Sequence, residues 1–310
     1  MMKSTSFILL ALLFIGCASG PQKFDKIANV KKYKEKTILV MTSELNKTFT
    51  TKCPKRYKKI YDKKPWRYLQ ELGNSCVQKR NWRMTKRIAK QIFKAEPYSP
   101  WGPYYLSLEA EAQGSYYKSL WMVDLAMKKM PYGLFHYQKA RILWKQKYYS
   151  LAEVELLTAV AMDTKVFGAH EMLGQLYLRD LEYKKSIEHF DLIVDRPSYK
   201  KTALRGLSIS YFYLSDYKKS YNFTERFLEY SPYDYQAHLR MAHISETVNK
   251  DLKSALRSYK KIQYYQKTKK IQGRVDVDVS LKISELKKTI DEKEQKRSVS
   301  SSKKKSEVVR

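Results

Sequence analysis

Glycine and proline are scarce, at 10 and 9 residues in 310. Chains built from many tight turns, from collagen-like triplets or from glycine-rich phosphate loops need more of both. Catalytic spacings are missing as well. There is no P-loop, no G-x-G-x-x-G, no nucleophile elbow and no H-E-x-x-H, so the usual frames for phosphate cradling, dinucleotide binding, acyl transfer and zinc hydrolysis are absent. Among the 31 acidic residues no pair is spaced as an acid/base couple. Long apolar runs are lacking too. Phe7–Ile15 gives nine residues, well short of the roughly 20 that a membrane-spanning helix needs. These absences point away from an enzyme and imply neither cofactor nor metal. What is present is a 43% apolar content, enough for a core, together with 26 Tyr and 61 basic residues that set the net charge at +30. Few turns with many apolar residues favour helices packed on helices. The charge attracts anions, whether lipid headgroups, acidic proteins or nucleic acid.

The N-terminus speaks to compartment. Lys3, the apolar run and a small residue form a secretory signal over residues 1–16. The run Phe14-Ile15-Gly16-Cys17 resembles the lipobox of bacterial lipoproteins, with Phe14 where that motif usually has Leu. The resemblance implies cleavage before Cys17, lipidation of Cys17 and an anchor in the cell envelope. Ala18 in place of Asp implies outer-membrane sorting, facing the periplasm, in a cell with two membranes. An ordinary signal with Cys17 present by chance is the plainer alternative. Three Cys in an exported chain leave an odd one. With Cys17 lipidated, Cys53 and Cys76 remain as a candidate disulfide in a compartment where such bonds persist. Spacing alone does not choose between a bridge and two thiols.

The chain repeats itself every 34 residues or so. Leu173-Gly174, Tyr177, Tyr183, Ser186, Phe190, Ile193 and Pro197 recur as Leu207-Ser208, Tyr211, Tyr217, Ser220, Phe227 and Pro232. Earlier copies carry Ala140, Leu143, Ala152 and Leu156, then Leu106-Ser107 with Ser119 and Pro131, then Leu72-Gly73 with Thr85 and Pro97. A later copy, with Leu252, Ala255, Tyr259 and Ile262, holds one inserted residue. The pattern resembles tetratricopeptide (TPR) repeats, in units 66–99, 100–132, 133–166, 167–200, 201–234 and 235–269. The resemblance implies an all-α superhelical solenoid of paired antiparallel helices, in which small residues at the eighth and twentieth positions let helices approach closely. One such pair cannot bury its own apolar face, so pairs stack. Val279, Ile283, Leu286 and Ile290 form a single stripe, read as a capping helix over 276–296 with Asp276 or Asp278 at its start. Residues 297–310 are polar and Lys-rich and are read as a disordered tail. Residues 17–35 are read as a basic linker from the lipid. Segment 36–65 is ambiguous between strand and helical turn.

His136, His170 and His238 share the fourth position of their repeats, a slot for side chains packed between helices, so they are read as packing residues and not as metal ligands. In TPR arrays the first helix of each unit lines a concave groove at about the second, fifth, ninth, twelfth and thirteenth positions. Those positions hold Trp101, Tyr104, Tyr137, Arg141, Trp144, Lys145, Glu171, Gln175, Arg179, Arg205, Phe212, Tyr213 and Glu246. Aromatics interleaved with Arg suit a protein-binding surface, and Arg141, Lys145, Arg179 and Arg205 suit an acidic or C-terminal carboxylate peptide. Charge is uneven. Residues 18–65 carry 14 basic and 4 acidic side chains, and the first repeat 8 and 2. A polybasic stretch beside a lipid strengthens attachment to anionic surfaces. A basic proteome would give the same excess as background. The sequence thus reads as a membrane-anchored, non-catalytic scaffold that binds protein through its groove. Its six repeats and lipobox are similar to the pilotin-like TPR lipoproteins of type IV pilus and gliding systems, which implies a role in assembling an outer-membrane secretin. The alternative is a surface binder of anionic lipid or cell-wall polymer acting through the basic segments. Nucleic acid is not an expected partner of an exported chain without a recognised nucleic-acid motif.

Overall fold

The structure, a computed structural model, describes residues 52–56, 58, 65–271 and 277–308. The signal, Cys17, the basic linker and most of segment 36–65 lie outside the described residues. Six helix pairs follow one another: α1 (Trp66–Gln78) with α2 (Trp82–Ala95), α3 (Trp101–Ala112) with α4 (Tyr116–Lys129), α5 (Gly133–Lys145) with α6 (Tyr149–Met162), α7 (Phe167–Arg179) with α8 (Tyr183–Asp191), α9 (Lys200–Tyr213) with α10 (Tyr217–Tyr230), and α11 (Tyr235–His243) with α12 (Leu252–Lys267). A last helix, α13 (Val279–Val308), closes the stack. This is an all-α solenoid with a C-terminal capping helix.

The small residues explain the stacking. The eighth position of each unit (Gly73, Ser107, Ala140, Gly174, Ser208, Ala242) is buried, and so is the twentieth (Thr85, Ser119, Ala152, Ser186, Ser220, Ala255, one residue late in the last unit because of its insertion). In three units the two positions are joined by a hydrogen bond. Ser119 Oγ donates to the Ser107 carbonyl at 2.7 Å, Ser186 Oγ to Gly174 at 3.0 Å and Ser220 Oγ to Ser208 at 2.8 Å. A serine here serves both size and hydrogen bonding, since its hydroxyl would otherwise be buried unpaired. Large side chains fill the space left by the small ones. Phe190 is fully buried against Gly174 and Gly206, and a Cβ on Gly174 would stand 2.8 Å from its ring. Burying one such ring contributes about 1.5–3 kcal/mol.

Each pair turns at a residue with positive φ: Arg80, Gly114, Lys147, Leu181, Ser215 and Lys250. In the first five pairs the next residue's N–H reaches back five residues, as from Asn81 to the Cys76 carbonyl (2.9 Å) and from Glu182 to that of Tyr177 (2.8 Å); in the sixth, Asp251 N reaches back six, to Ser245 (2.8 Å). This is the Schellman ending, which satisfies helix carbonyls at the expense of a left-handed residue. Asn81, Asp216, Asp234 and Asp251 then cap following helices by accepting from backbone N–H groups. The inserted residue of the last unit is taken up by a π-helical turn, Ile244–Val248, before α12.

First helices of successive pairs touch one another (α1 with α3, α3 with α5, α7 with α9), whereas second helices make no comparable contact. A stack held tighter along one edge curves, which places the first helices on the inner face. At the far end Val279, Ile283 and Leu286 of α13 pack on Ala242, Ala255, Tyr259 and Ile262, and Asp278 caps the helix by accepting from Leu281 N at 3.0 Å. The helix runs on to Val308, past the end at 296 expected for it and through most of the stretch read as a disordered tail. Ser, Lys and Glu carry only modest helix penalties, so an existing helix propagates through them. At the other end Cys53 and Cys76 are joined, with S–S 2.09 Å and Cα–Cα 4.8 Å. Cys53 N also donates to Ser75 Oγ at 2.9 Å. Residues 52–56 are thereby pinned to α1.

Candidate partner-binding groove

The inner face divides into two halves. In the near half, over the first three pairs, Trp101 and Tyr104 are only 4% and 8% exposed. They belong to a cluster with Tyr105, Tyr132 and Phe135, whose centroids lie 5.1–6.0 Å apart. Expected as groove lining, both rings are core, because the neighbouring pair supplies Phe135 to cover them. Burial pushes the Tyr104 hydroxyl well above its ordinary range. Tyr137 is half-buried and pushed up to about 12 by burial, with the Arg141 guanidinium 5.8 Å from its ring opposing the shift.

The near-half cations are committed. Glu111 is buried and accepts from Gln138 Nε2 (2.8 Å), from Arg141 Nη2 (3.1 Å) and from Lys145 Nζ (2.8 Å). Arg141 Nη1 also donates to Gln138 Oε1 at 3.0 Å. Two of the cations proposed for a peptide carboxylate therefore already hold one. Around them lies a cavity of about 470 Å³ lined by Val77, Gln78, Arg80, Trp82, Leu108, Glu111, Ala112, Arg141 and Lys145. Trp144 is half-buried, edge-on to Tyr149 at 5.2 Å and packed on the core of the third and fourth pairs. Sequence reasoning missed Glu111, although it stands at a groove position, because a single acidic residue carries no sign of burial.

The far half differs. Arg179 is spent on Asp180 (2.8 Å) and lies over the Tyr149 ring at 3.7 Å. Glu246 faces Lys282 at 3.7 Å. Glu171 is half-buried, and burial raises its carboxyl; Gln175 is exposed. Arg205 is exposed and makes no ion pair among the described residues. Tyr213, 60% exposed, stacks on Tyr183 at 4.8 Å, and Phe212 meets its edge at 5.7 Å. Beside them Arg240 is largely sunk in the wall, and no described group accepts from its Nε or Nη2. Burial pushes its guanidinium down to about 10; Asp234 opposes that shift and Arg205 adds to it. Arg240 was not foreseen because it falls between the usual groove positions.

The histidines are structural neighbours of this face. His136 Nδ1 lies 2.6 Å from Glu155 Oε2. His170 and His189 approach Nδ1 to Nδ1 at 3.0 Å, with Tyr177 stacked on His189 at 5.6 Å. Burial lowers both, His189 to about 4. His238 Nε2 meets the Pro232 carbonyl at 2.9 Å. Among the described residues no three potential metal ligands gather, and no helix is long and apolar enough to cross a membrane.

No protein-family profile matches the chain, and no curated protein sequence is significantly similar to it. Solved structures do match. PilF of Pseudomonas aeruginosa is 15% identical, with a TM-score of 0.54 over 66% of this chain and 97% of that one. PilW, described as a type IV pilus biogenesis factor, is 9% identical with a TM-score of 0.49, covering 67% and 94% of the two chains. The C-terminal part of a TPR protein from Cytophaga hutchinsonii is 17% identical with a TM-score of 0.49, covering 64% and 78%. Six stacked helix pairs, their small-residue contacts and the likeness to PilF agree that the chain is a tetratricopeptide-repeat solenoid in fold.

Proposed function

We propose that this chain is a non-catalytic scaffold held at a bacterial envelope membrane through lipid on Cys17, where its inner face binds a protein partner during assembly of an outer-membrane complex such as a pilus secretin. The observation that carries the reading is the far half of the groove, where one first helix, α9, presents exposed Tyr213 together with Arg205, which is exposed and makes no ion pair among the described residues. Such aromatic and Arg pairs anchor protein interfaces. Two features support the compartment. The lipobox-like run precedes Cys17, and the Cys53–Cys76 bond suits an oxidising space. The pilus setting draws on the lipobox and the six repeats, alongside the fold shared with PilF.

Fractionation of Cys17→Ser tests the anchor: release from membranes is expected, and unchanged membrane association overturns it. A photo-crosslinker at Tyr213, compared with one at Trp121 on the second-helix side, tests the groove. Capture of the same envelope protein from Tyr213 alone is expected, and capture from Trp121 alone removes the groove reading. The second reading, attachment to anionic lipid or cell-wall polymer, is favoured by the charge of residues 18–65, with 14 basic against 4 acidic side chains. Binding led by those charges collapses by a few hundred millimolar salt as screening shortens, whereas a partner seated in the groove partly persists.

A further inference from the structure

The outer face, formed by the second helices, is cationic except at one place. Each of α2, α4, α8, α10 and α12 exposes at least two Lys or Arg side chains, and on α2 four of them, Arg83, Arg87, Lys90 and Lys94, follow one another at helical spacing. The remaining second helix, α6, has neither residue type anywhere in its length. Its exposed side chains are Ser150, Leu151, Val154, Leu157, Ala161 and Met162, with Leu151 58% and Val154 60% exposed. Its two acids are engaged by the first helices on either side. Glu153 accepts from the Tyr177 hydroxyl at 3.0 Å, and Glu155 accepts from Lys139 Nζ at 2.9 Å and meets His136 Nδ1 at 2.6 Å. On the inward side of the same helix Ala152, Leu156 and Ala159 are fully buried core. Thus α6 is apolar inward and outward, where a helix facing water carries a polar outer face.

We infer that the outer stripe of α6 is a self-association surface, on which two copies of this chain pack α6 against α6, antiparallel, about a two-fold axis. The inner groove takes no part in it. The occupant follows from charge. A chain with net charge +30 repels its own copies wherever their cations meet, and α6 is the one second helix on which two copies meet without opposing Lys or Arg. An acidic partner or an anionic surface finds its counter-charges on the other five second helices and none here. The spacing is self-complementary as well. At a two-fold axis, a residue i that faces j is matched by j facing i. With the axis midway along the stripe, Val154 of one copy meets Leu157 of the other, and Ser150 meets Ala161. The large pair fills the centre, and the small residues let the ends close in. One helix against one helix buries less than the roughly 800 Å² per partner of a standard interface. The dimer therefore populates with rising concentration, a condition that copies tethered to one surface meet.

The test co-expresses two differently tagged copies of the full chain, one with a benzophenone amino acid in place of Met162 at the end of the stripe, and irradiates intact cells. A product carrying both tags at the mass of two chains is expected. The same probe in place of Arg87 on α2 should give at least about tenfold less of it. A product that joins position 162 to another protein, to lipid or to its own chain, without the two-tag species, overturns the proposal. Equal yield from both positions reports crowding alone and overturns it too. Leu151→Lys with Leu157→Lys sets like charges across the axis and should lower the two-tag product by at least about tenfold. Both positions are exposed, so an unchanged Tm is expected, and undiminished product from the folded variant removes this face as the contact. Salt gives a reading on the unaltered chain, by sedimentation velocity in mild detergent. Between about 0.1 and 1 M the screening length falls from about 10 to 3 Å, so repulsion between copies fades, and the dimer at fixed concentration should rise by at least about twofold. A dimer that dissociates in salt, or monomer at every concentration, overturns the proposal.

Discussion

The near and far halves of the groove are built on the same helix-pair plan yet treat charge in opposite ways. In the near half one buried carboxylate, Glu111, gathers Gln138, Arg141 and Lys145 within 3.1 Å. In the far half neither Arg205 nor Arg240 makes an ion pair among the described residues, and Asp234, the acid that acts on Arg240, also caps α11. The framework is indifferent to the choice because first-helix stacking depends on small residues at the eighth and twentieth positions, not on the groove side chains. What the contrast teaches is that one repeat plan can satisfy the charges of its inner face internally in one half and leave cations there without an ion pair among the described residues in the other. The near half spends its cations on cohesion between adjacent first helices.

Erasing the near-half carboxylate should have the largest effect on this contrast. Glu111→Gln keeps the shape of the side chain and removes the charge that Arg141 and Lys145 share, and it is expected to lower stability by about 1–3 kcal/mol, read by chemical denaturation. The same variant should strengthen binding of a Glu-rich probe peptide, because two cations are released into the groove. Stability loss without gained binding would mean that the near half is closed to peptides for reasons other than charge.

Acid should weaken the far half in a way that follows from its histidines. His189 and His170 are lowered by burial, His189 to about 4. Between the ordinary value near 6.5 and about 4 the unfolded chain binds protons that the folded chain refuses. Stability from this pair is therefore complete above pH 6.5 and is lost as pH falls toward 4. The Tm is expected to drop by a few degrees across that window, and hydrogen exchange should place the loss in α7 and α8. In His189→Phe, where a ring still stacks on Tyr177, the drop should flatten; an unchanged pH profile would remove the histidine pair as its cause.

The smallest effect concerns the turns. Leu181 holds φ +61° and is 67% exposed, so its side chain gains little from packing while its backbone is strained. Leu181→Gly is expected to stabilise by about 0.5–1 kcal/mol, measured by denaturation. At Gly114, which already fills the same position of the second pair, Gly114→Ala should lose a similar amount.

Much of the fold was legible because its cause is local and periodic. Gly174 and Ser186 in one unit and Ser208 and Ser220 in the next can be aligned by counting, and the single inserted residue of the last unit can be counted as well. The π turn at Ile244–Val248 is how the backbone absorbs it. The site was legible only by position. Trp101 and Tyr104 occupy groove positions but are covered by Phe135, more than thirty residues on. Arg141, Lys145 and Arg179 are cations of the expected type, yet each was already paired. Arg240, whose Nε and Nη2 find no acceptor among the described residues, falls between the usual groove positions.

By itself the sequence determined the repeat period, the number of helix pairs and the stripe of Val279, Ile283 and Leu286 that closes the stack, because each depends on apolar and small residues at fixed spacings along one chain. Only the tertiary structure decided which charges are satisfied. Glu111 and Arg141 stand 30 residues apart in the chain and 3.1 Å apart in space. Pairing across adjacent repeats depends on helix orientation and burial, where a low local dielectric makes a neighbour at that distance decisive, and neither quantity is written in spacing alone.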